Sequence, residues 1–139
     1  MNIQMRLVAL ILILIAPTWA VADQYICIPE KAVGFYLNED SKQWDIIEFT
    51  TKEKYLVSLE TNRVTLFGQA DILFETCQVV TLVRDSEAEI FLCNEDTKLG
   101  EFMMSEATLR FQRYVSYFDY VTNQGTGTPL VQQGTCAKL

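Results

Sequence analysis

Tyr55-Leu56-Val57-Ser58-Leu59-Glu60-Thr61-Asn62-Arg63-Val64-Thr65-Leu66-Phe67 is the stretch whose reading decides the fold. Apolar Val57, Leu59, Val64 and Leu66 alternate with Ser58, Glu60, Arg63 and Thr65. That period of two is the strand repeat, in which successive side chains point to opposite faces. Taking Thr61-Asn62 as a two-residue loop sets Leu59 opposite Val64 and Val57 opposite Leu66 on one side. Glu60 then faces Arg63 and Ser58 faces Thr65 on the other. One buried and one wet face is the pattern of an antiparallel sheet. Leu56 and Phe67 fall on the wet side, where a neighbouring segment is expected to cover them.

The same short alternating runs continue in both directions. Phe35-Tyr36-Leu37 and Trp44 to Phe49 flank Asn38-Glu39-Asp40-Ser41-Lys42, which reads as a hairpin with a five-residue loop. Trp44 and Ile46 share a face while Ile47 and Phe49 share the other, so a bulge or bend is expected between Ile46 and Ile47. A single helical turn fits Glu30-Lys31-Ala32-Val33. Ser105 could cap a helix running to Tyr114, but Leu109 and Phe111 alternate with Arg110 and Gln112, which favours strand. Asn123 to Pro129 is a Gly/Thr-rich loop and Leu130 to Cys136 a last extended piece. The expected fold is all-β: about eight short antiparallel strands in a meander that closes into a partly open barrel or sandwich.

The first 22 residues stand apart. Arg6, the apolar run Leu7 to Ala16, Pro17 and then Ala20-Val21-Ala22 have the layout of a secretory signal cleaved after Ala22. Ten apolar residues fall short of the roughly 20 a membrane span needs. The nearest cysteine to the cleavage point is Cys27, so no lipid-modified N-terminus is expected. Residues 23–139 then form one exported domain. Removing Arg6 and no acid leaves ten basic against 18 acidic residues, a net charge of −8. Such a charge keeps a small domain dispersed, which points to a monomer, and could steer it to a basic partner. It argues against nucleic acid, whose phosphates need clustered Lys and Arg.

The four cysteines, Cys27, Cys77, Cys93 and Cys136, all follow the leader, and an even count in an exported chain reads as two disulfides. Three pairings are formally possible. Cys77 and Cys93 are equidistant from Asp85 in the turn-like stretch Arg84-Asp85-Ser86-Glu87, and that register sets Val79 opposite Phe91 and Val80 opposite Ile90. Cys77–Cys93 is therefore favoured, and Cys27–Cys136 follows by elimination. The second bond would close a loop of more than one hundred residues, for which the chain-entropy model gives about 4.7 kcal/mol.

Cys27-Ile28-Pro29-Glu30-Lys31-Ala32-Val33-Gly34-Phe35, Trp44 with Phe49, Lys54-Tyr55, Phe91-Leu92-Cys93, Leu109-Arg110-Phe111-Gln112 and the closing Gly134-Thr135-Cys136 resemble a family of small exported bacterial proteins of uncharacterised activity. The resemblance spans nearly all of residues 23–139. It implies a shared fold and cysteine framework and supplies no catalytic or binding residues. Tyr25-Ile26-Cys27 is also similar to the opening strand of periplasmic lysozyme inhibitors, but the chain has no Ser-Gly loop of the kind they insert into the lysozyme cleft.

With no histidine in the chain, His-based nucleophiles, bases and metal ligands are excluded. Acidic turns such as Asn38-Glu39-Asp40, Asp85-Ser86-Glu87 and Asn94-Glu95-Asp96 lack the spacing, glycine and distal Glu of a calcium loop, so no metal or cofactor is expected. Gly125-Thr126-Gly127 lacks the Lys-Ser/Thr ending of a phosphate loop. The most suggestive feature is aromatic: Phe111, Tyr114, Tyr117, Phe118 and Tyr120 put five rings into ten residues. Phe111 and Tyr117 share one face with Leu109 and Val115, and Tyr114, Phe118 and Tyr120 share the other. Either both sets pack inside the barrel, or one leaves the core as a half-wet contact surface. Tyr114, Tyr117, Phe118 and Tyr120, with Arg113 on their rim, are the candidate contact for a protein or small apolar ligand. The rival readings are a carboxylate-dependent hydrolase of cell-wall glycans, with no acid pair singled out, and a structural component of an envelope assembly.

Overall fold

The computed structural model describes residues 23–83, 87–95, 100–116 and 127–139. It contains ten strands: β1 (Gln24–Asn38), β2 (Gln43–Glu48), β3 (Tyr55–Ser58), β4 (Arg63–Leu66), β5 (Ile72–Phe74), β6 (Cys77–Val83), β7 (Glu87–Glu95), β8 (Gly100–Ser105), β9 (Arg110–Val115) and β10 (Leu130–Lys138). No described residue is helical. All pairings are antiparallel, in the order β5-β4-β3-β1-β10-β9-β8-β7-β6, with β2 added to β1 off this path. The two ends of the order, β5 and β6, are consecutive in the chain and joined only by Glu75 and Thr76. The sheet therefore curls almost into a barrel with one open seam, between β5 and β6.

β1 carries the architecture. Its first half pairs with β3 on one edge, Cys27 opposite Tyr55, while its second half pairs with β2 on that same edge, Val33 opposite Glu48 through Asn38 opposite Gln43. β10 runs along the other edge from Tyr25 to Gly34. The register between β1 and β10 shifts between Pro29 and Lys31, so Glu30 is an extra residue. Tyr25 and Cys27 point inward before it and Ala32 and Gly34 after it, an exchange of parity that a bulge produces. The helical turn expected at 30–33 is thus a bulged strand. The bulge expected between Ile46 and Ile47 is not there, since β1 and β2 pair without interruption. Their mixed apolar pattern has another cause, described below.

The Cys77–Cys93 hairpin has the predicted register, with Val79 opposite Phe91 and Val80 opposite Ile90. In the 55–66 hairpin the faces are as predicted but the register slides by two residues: Val57 faces Val64 and Tyr55 faces Leu66. The loop is four residues, 59–62, rather than two. Three hairpins share this design. Asn62, Lys42 and Leu109 each close a four-residue loop in the left-handed region, at φ 52°, 56° and 54°. Each loop is opened by a side-chain acceptor: Asn38 Oδ1 takes the Asp40 and Ser41 N–H groups, Ser58 Oγ that of Thr61, and Ser105 Oγ that of Thr108. The 38–42 loop is accordingly four residues, not five, and Leu109 belongs to a turn rather than to β9.

Inward side chains from every wall meet in one core of Tyr25, Val57, Val64, Phe74, Phe91, Phe102, Met104 and Phe111 with the cysteines. Phe102 stacks on Phe111 at 5.3 Å between centroids, and Tyr55 stands edge-on to both. Cys27–Cys136 and Cys77–Cys93 are both disulfides, and no cysteine is free. The first ties β1 to β10 and the second β6 to β7, a framework suited to an oxidising compartment.

Candidate functional site

Strand β9 divides the predicted contact residues between two environments. Phe111, Arg113 and Val115 point into the barrel, and Tyr114 points out. Tyr117, Phe118 and Tyr120 lie outside the described residues. Arg113 is therefore not a neighbour of Tyr114's surface but a member of an interior cluster. Its Nη1 donates to the Tyr55 hydroxyl at 3.0 Å, lies 3.7 Å from Glu53, and its guanidinium sits over the Tyr55 ring. The Tyr55 hydroxyl in turn donates to Oε1 of the buried Gln132, with Glu53 Oε2 at 3.2 Å as a second acceptor. Burial pushes the Tyr55 phenol above its ordinary pKa, against the pull of the Arg113 charge. Within this cluster Arg113 Nε is the one buried side-chain polar atom without a hydrogen-bond partner. It fixes β3, β9 and β10 to one another at one level of the barrel.

Tyr114 belongs to a different constellation. Val33, Val131 and Tyr114 stand side by side across β1, β10 and β9, all on the outer surface. Phe35 and its partner Ile46 extend this strip onto the ribbon formed by β2 and the second half of β1. Ile46 is 73% exposed, Phe35 46%, Val33 42% and Tyr114 39%. With Leu130 these residues line a shallow hollow of about 220 Å³. Both ends of the row are acidic: Glu48 pairs with Val33 on one side and Glu101 with Tyr114 on the other. A contiguous exposed apolar area rimmed by charge is the usual mark of an interaction surface.

Of this strip, the sequence singled out only Tyr114. Phe35, Ile46 and Val131 read as ordinary strand residues, and Val33 as the end of a helical turn. The signal was present in the parity slip at 44–49, where apolar residues fall on both faces of a short strand. The slip reflects exposure of the whole of β2, whose residues are all exposed except Trp44, rather than a bulge.

A larger hollow of about 500 Å³ lies near Glu30, Arg110, Gln112, Gln133 and Thr135. Two pairs of its polar groups are bonded to each other: Thr135 Oγ1 donates to Glu30 at 2.8 Å and Gln133 Nε2 to Gln112 at 3.0 Å. Among the described residues no group of three or more Cys, Asp or Glu side chains could hold a metal ion.

Fold and surface together define a disulfide-stapled, all-β barrel-like domain with an acid-rimmed apolar strip on its outer wall. No protein family, curated protein or solved structure matches the chain.

Proposed function

We propose that the chain is an exported, non-enzymatic β-domain that binds a protein partner through the outer strip of Val33, Phe35, Ile46, Val131 and Tyr114. The observation that carries this reading is the strip itself: β1, β2 and β9 contribute exposed apolar side chains and β10 the half-buried Val131 to one continuous surface, and Glu48 and Glu101 bracket it. A protein fits better than a small apolar ligand, because the hollow of about 220 Å³ is shallow and below the roughly 300–1,000 Å³ of ligand pockets. Of the residues best suited to chemistry, Tyr55 and Arg113 are bonded to each other inside the barrel, and Glu53 meets them from the exposed side. The leader at 1–22 and the two disulfides support delivery to the periplasm or beyond the cell, with Asp23 as the first residue after processing.

Site-specific photo-crosslinking in producing cells tests this. Benzoylphenylalanine at position 114 is expected to give an adduct of defined mass that the same group at Glu60, in an exposed turn, does not give. Equal labelling from both positions, or none from position 114, overturns the reading. N-terminal sequencing of the exported protein is expected to start at Asp23.

A further inference from the structure

We infer that the open edge of β2 accepts an extended, basic and apolar segment of the partner as an added strand. This rests on the binding reading above and specifies how recognition occurs. Phe49 N–H donates to the Ala32 carbonyl at 2.8 Å. Backbone groups alternate along an antiparallel strand, so those of Ile47, Asp45 and Gln43 turn toward β1, and those of Ile46 and Glu48 turn away from it. Among the described residues no strand pairs with β2 on that side. The other two ends of the sheet, β5 and β6, face each other across the seam, which leaves β2 as the exposed edge among the described residues.

Natural edge strands are usually blunted by charged side chains, proline, a bulge, an inward charge or extreme shortness, and of these devices β2 carries only the charges of Asp45 and Glu48. β2 has six residues, regular pairing and no proline, and it exposes Ile46 and Ile47 on its two faces. An incoming strand would exchange main-chain hydrogen bonds with Ile46 and Glu48 and lay alternate side chains beside Ile46 and the apolar strip. Charge selects its composition. Within the paired ribbon, residues 33–48, Glu39, Asp40, Asp45 and Glu48 stand against Lys42, so a segment with Lys or Arg between its apolar residues is attracted. A second copy of this chain brings the same carboxylates and the same net charge, and is disfavoured.

The probe is an acetylated and amidated nine-residue peptide of alternating Lys and Val, titrated into ¹⁵N-labelled protein isolated from cells producing the full chain. Binding is expected to shift and protect from hydrogen exchange the amides of Ile46 and Glu48, and to weaken severalfold between 50 and 300 mM NaCl. The Glu/Val counterpart should not bind. Ile46→Pro removes an N–H that faces the open side, where an edge strand tolerates proline, and should weaken binding at least tenfold with a melting temperature close to the parent's. A Lys/Val peptide N-methylated at alternate residues tests the same hydrogen bonds without altering the protein and should also fail. Unchanged binding by Ile46→Pro or by the N-methylated peptide overturns strand addition. So does absence of binding at 1 mM peptide, and if position 114 still crosslinks, only the mode of recognition falls and the binding reading stands. A concentration-dependent dimer that Ile46→Pro abolishes would assign the edge to a second copy and overturn the basic partner.

Discussion

The two halves of β1 are one continuous strand with opposite fates. Tyr25 and Cys27 are buried between β3 and β10 with a disulfide, an aromatic core and a polar cluster around them. Past the bulge at Glu30, Val33 and Phe35 are apolar too, yet they stay exposed because the strand there forms the base of a ribbon on the outer wall. Hydrophobicity alone does not decide burial. What decides it is whether a second wall lies opposite, and the bulge is the device that turns Val33 and Phe35 away from that wall.

The largest expected effect comes from breaking the first half. Replacing Cys27 and Cys136 together by Ala removes a crosslink between residues 109 apart in sequence and should cost about 2–5 kcal/mol, measured by urea unfolding. The bond joins β1 to β10 beside a core packed from all sides, so its loss is not absorbed locally. A cost below about 1 kcal/mol would mean that β1 is held by its neighbours alone.

The junction between the halves is probed by Gly34. A Cβ there would run into the Pro129 carbonyl and come within 3.0 Å of Leu130 Cβ and Phe49 Cε2. The Pro129 carbonyl also accepts the Phe35 N–H at 3.0 Å, so it cannot move without loosening the ribbon. Gly34→Ala is expected to destabilise by about 1–3 kcal/mol and to raise hydrogen exchange at Phe35 before it does so at Cys27. Uniform exchange along β1 would show the two halves to be one cooperative unit.

These contrasts mark what the sequence could and could not reveal. Wherever two walls face each other the alternation was legible: Val57 and Val64 were assigned to the correct face, and Cys77 to Cys93, because period two fixes faces and a tight hairpin fixes register. The slide at 55–66 was not legible, since a shift of two residues preserves every face and is set by Asn62 adopting φ 52°. Lys42 and Leu109 adopt the same conformation without being residues that favour it, so their loops were harder still to place. The bulge was assigned to β2 when it lies in β1, because Glu30 is hidden in a stretch whose apolar residues do not alternate cleanly. Of the candidate site, Tyr114 could be read from its parity, but the strip around it depends on β10 lying between β1 and β9, a long-range pairing no local pattern encodes.

The polar cluster beside the first half gives a smaller, pH-dependent test. Tyr55→Phe leaves Arg113 without its hydroxyl acceptor and should cost about 1–3 kcal/mol at neutral pH. Because burial raises the folded-state pKa of this phenol, the folded protein holds its proton more tightly than the unfolded chain does. The associated stability is complete below the unfolded value of about 10 and is lost as pH rises toward the folded one. Tyr25, raised by burial and by its hydrogen bond to Glu106, and Lys138, raised by its pairing with Asp23, act with the same sign. Tyr55→Phe should therefore flatten the alkaline limb of the stability profile without abolishing it, as guanidinium unfolding between pH 8 and 11 would show. An unchanged limb would assign the alkaline loss to Tyr25 and Lys138.

The smallest effect is expected on the ribbon, and it is the sharpest form of the comparison. Ile46 is as apolar as any core residue, but at 73% exposure its side chain has little surface left to lose to water on unfolding. Ile46→Ser should change stability by less than about 0.5 kcal/mol, whereas Val57→Ala, a smaller deletion at a fully buried site, should cost about 2 kcal/mol or more. If Ile46→Ser instead proved as costly as Val57→Ala, the ribbon would be covered in solution, and the exposed strip would be part of the core. If it proved neutral while strand addition was lost, an isoleucine that contributes nothing to folding would be accounted for by what it does for binding.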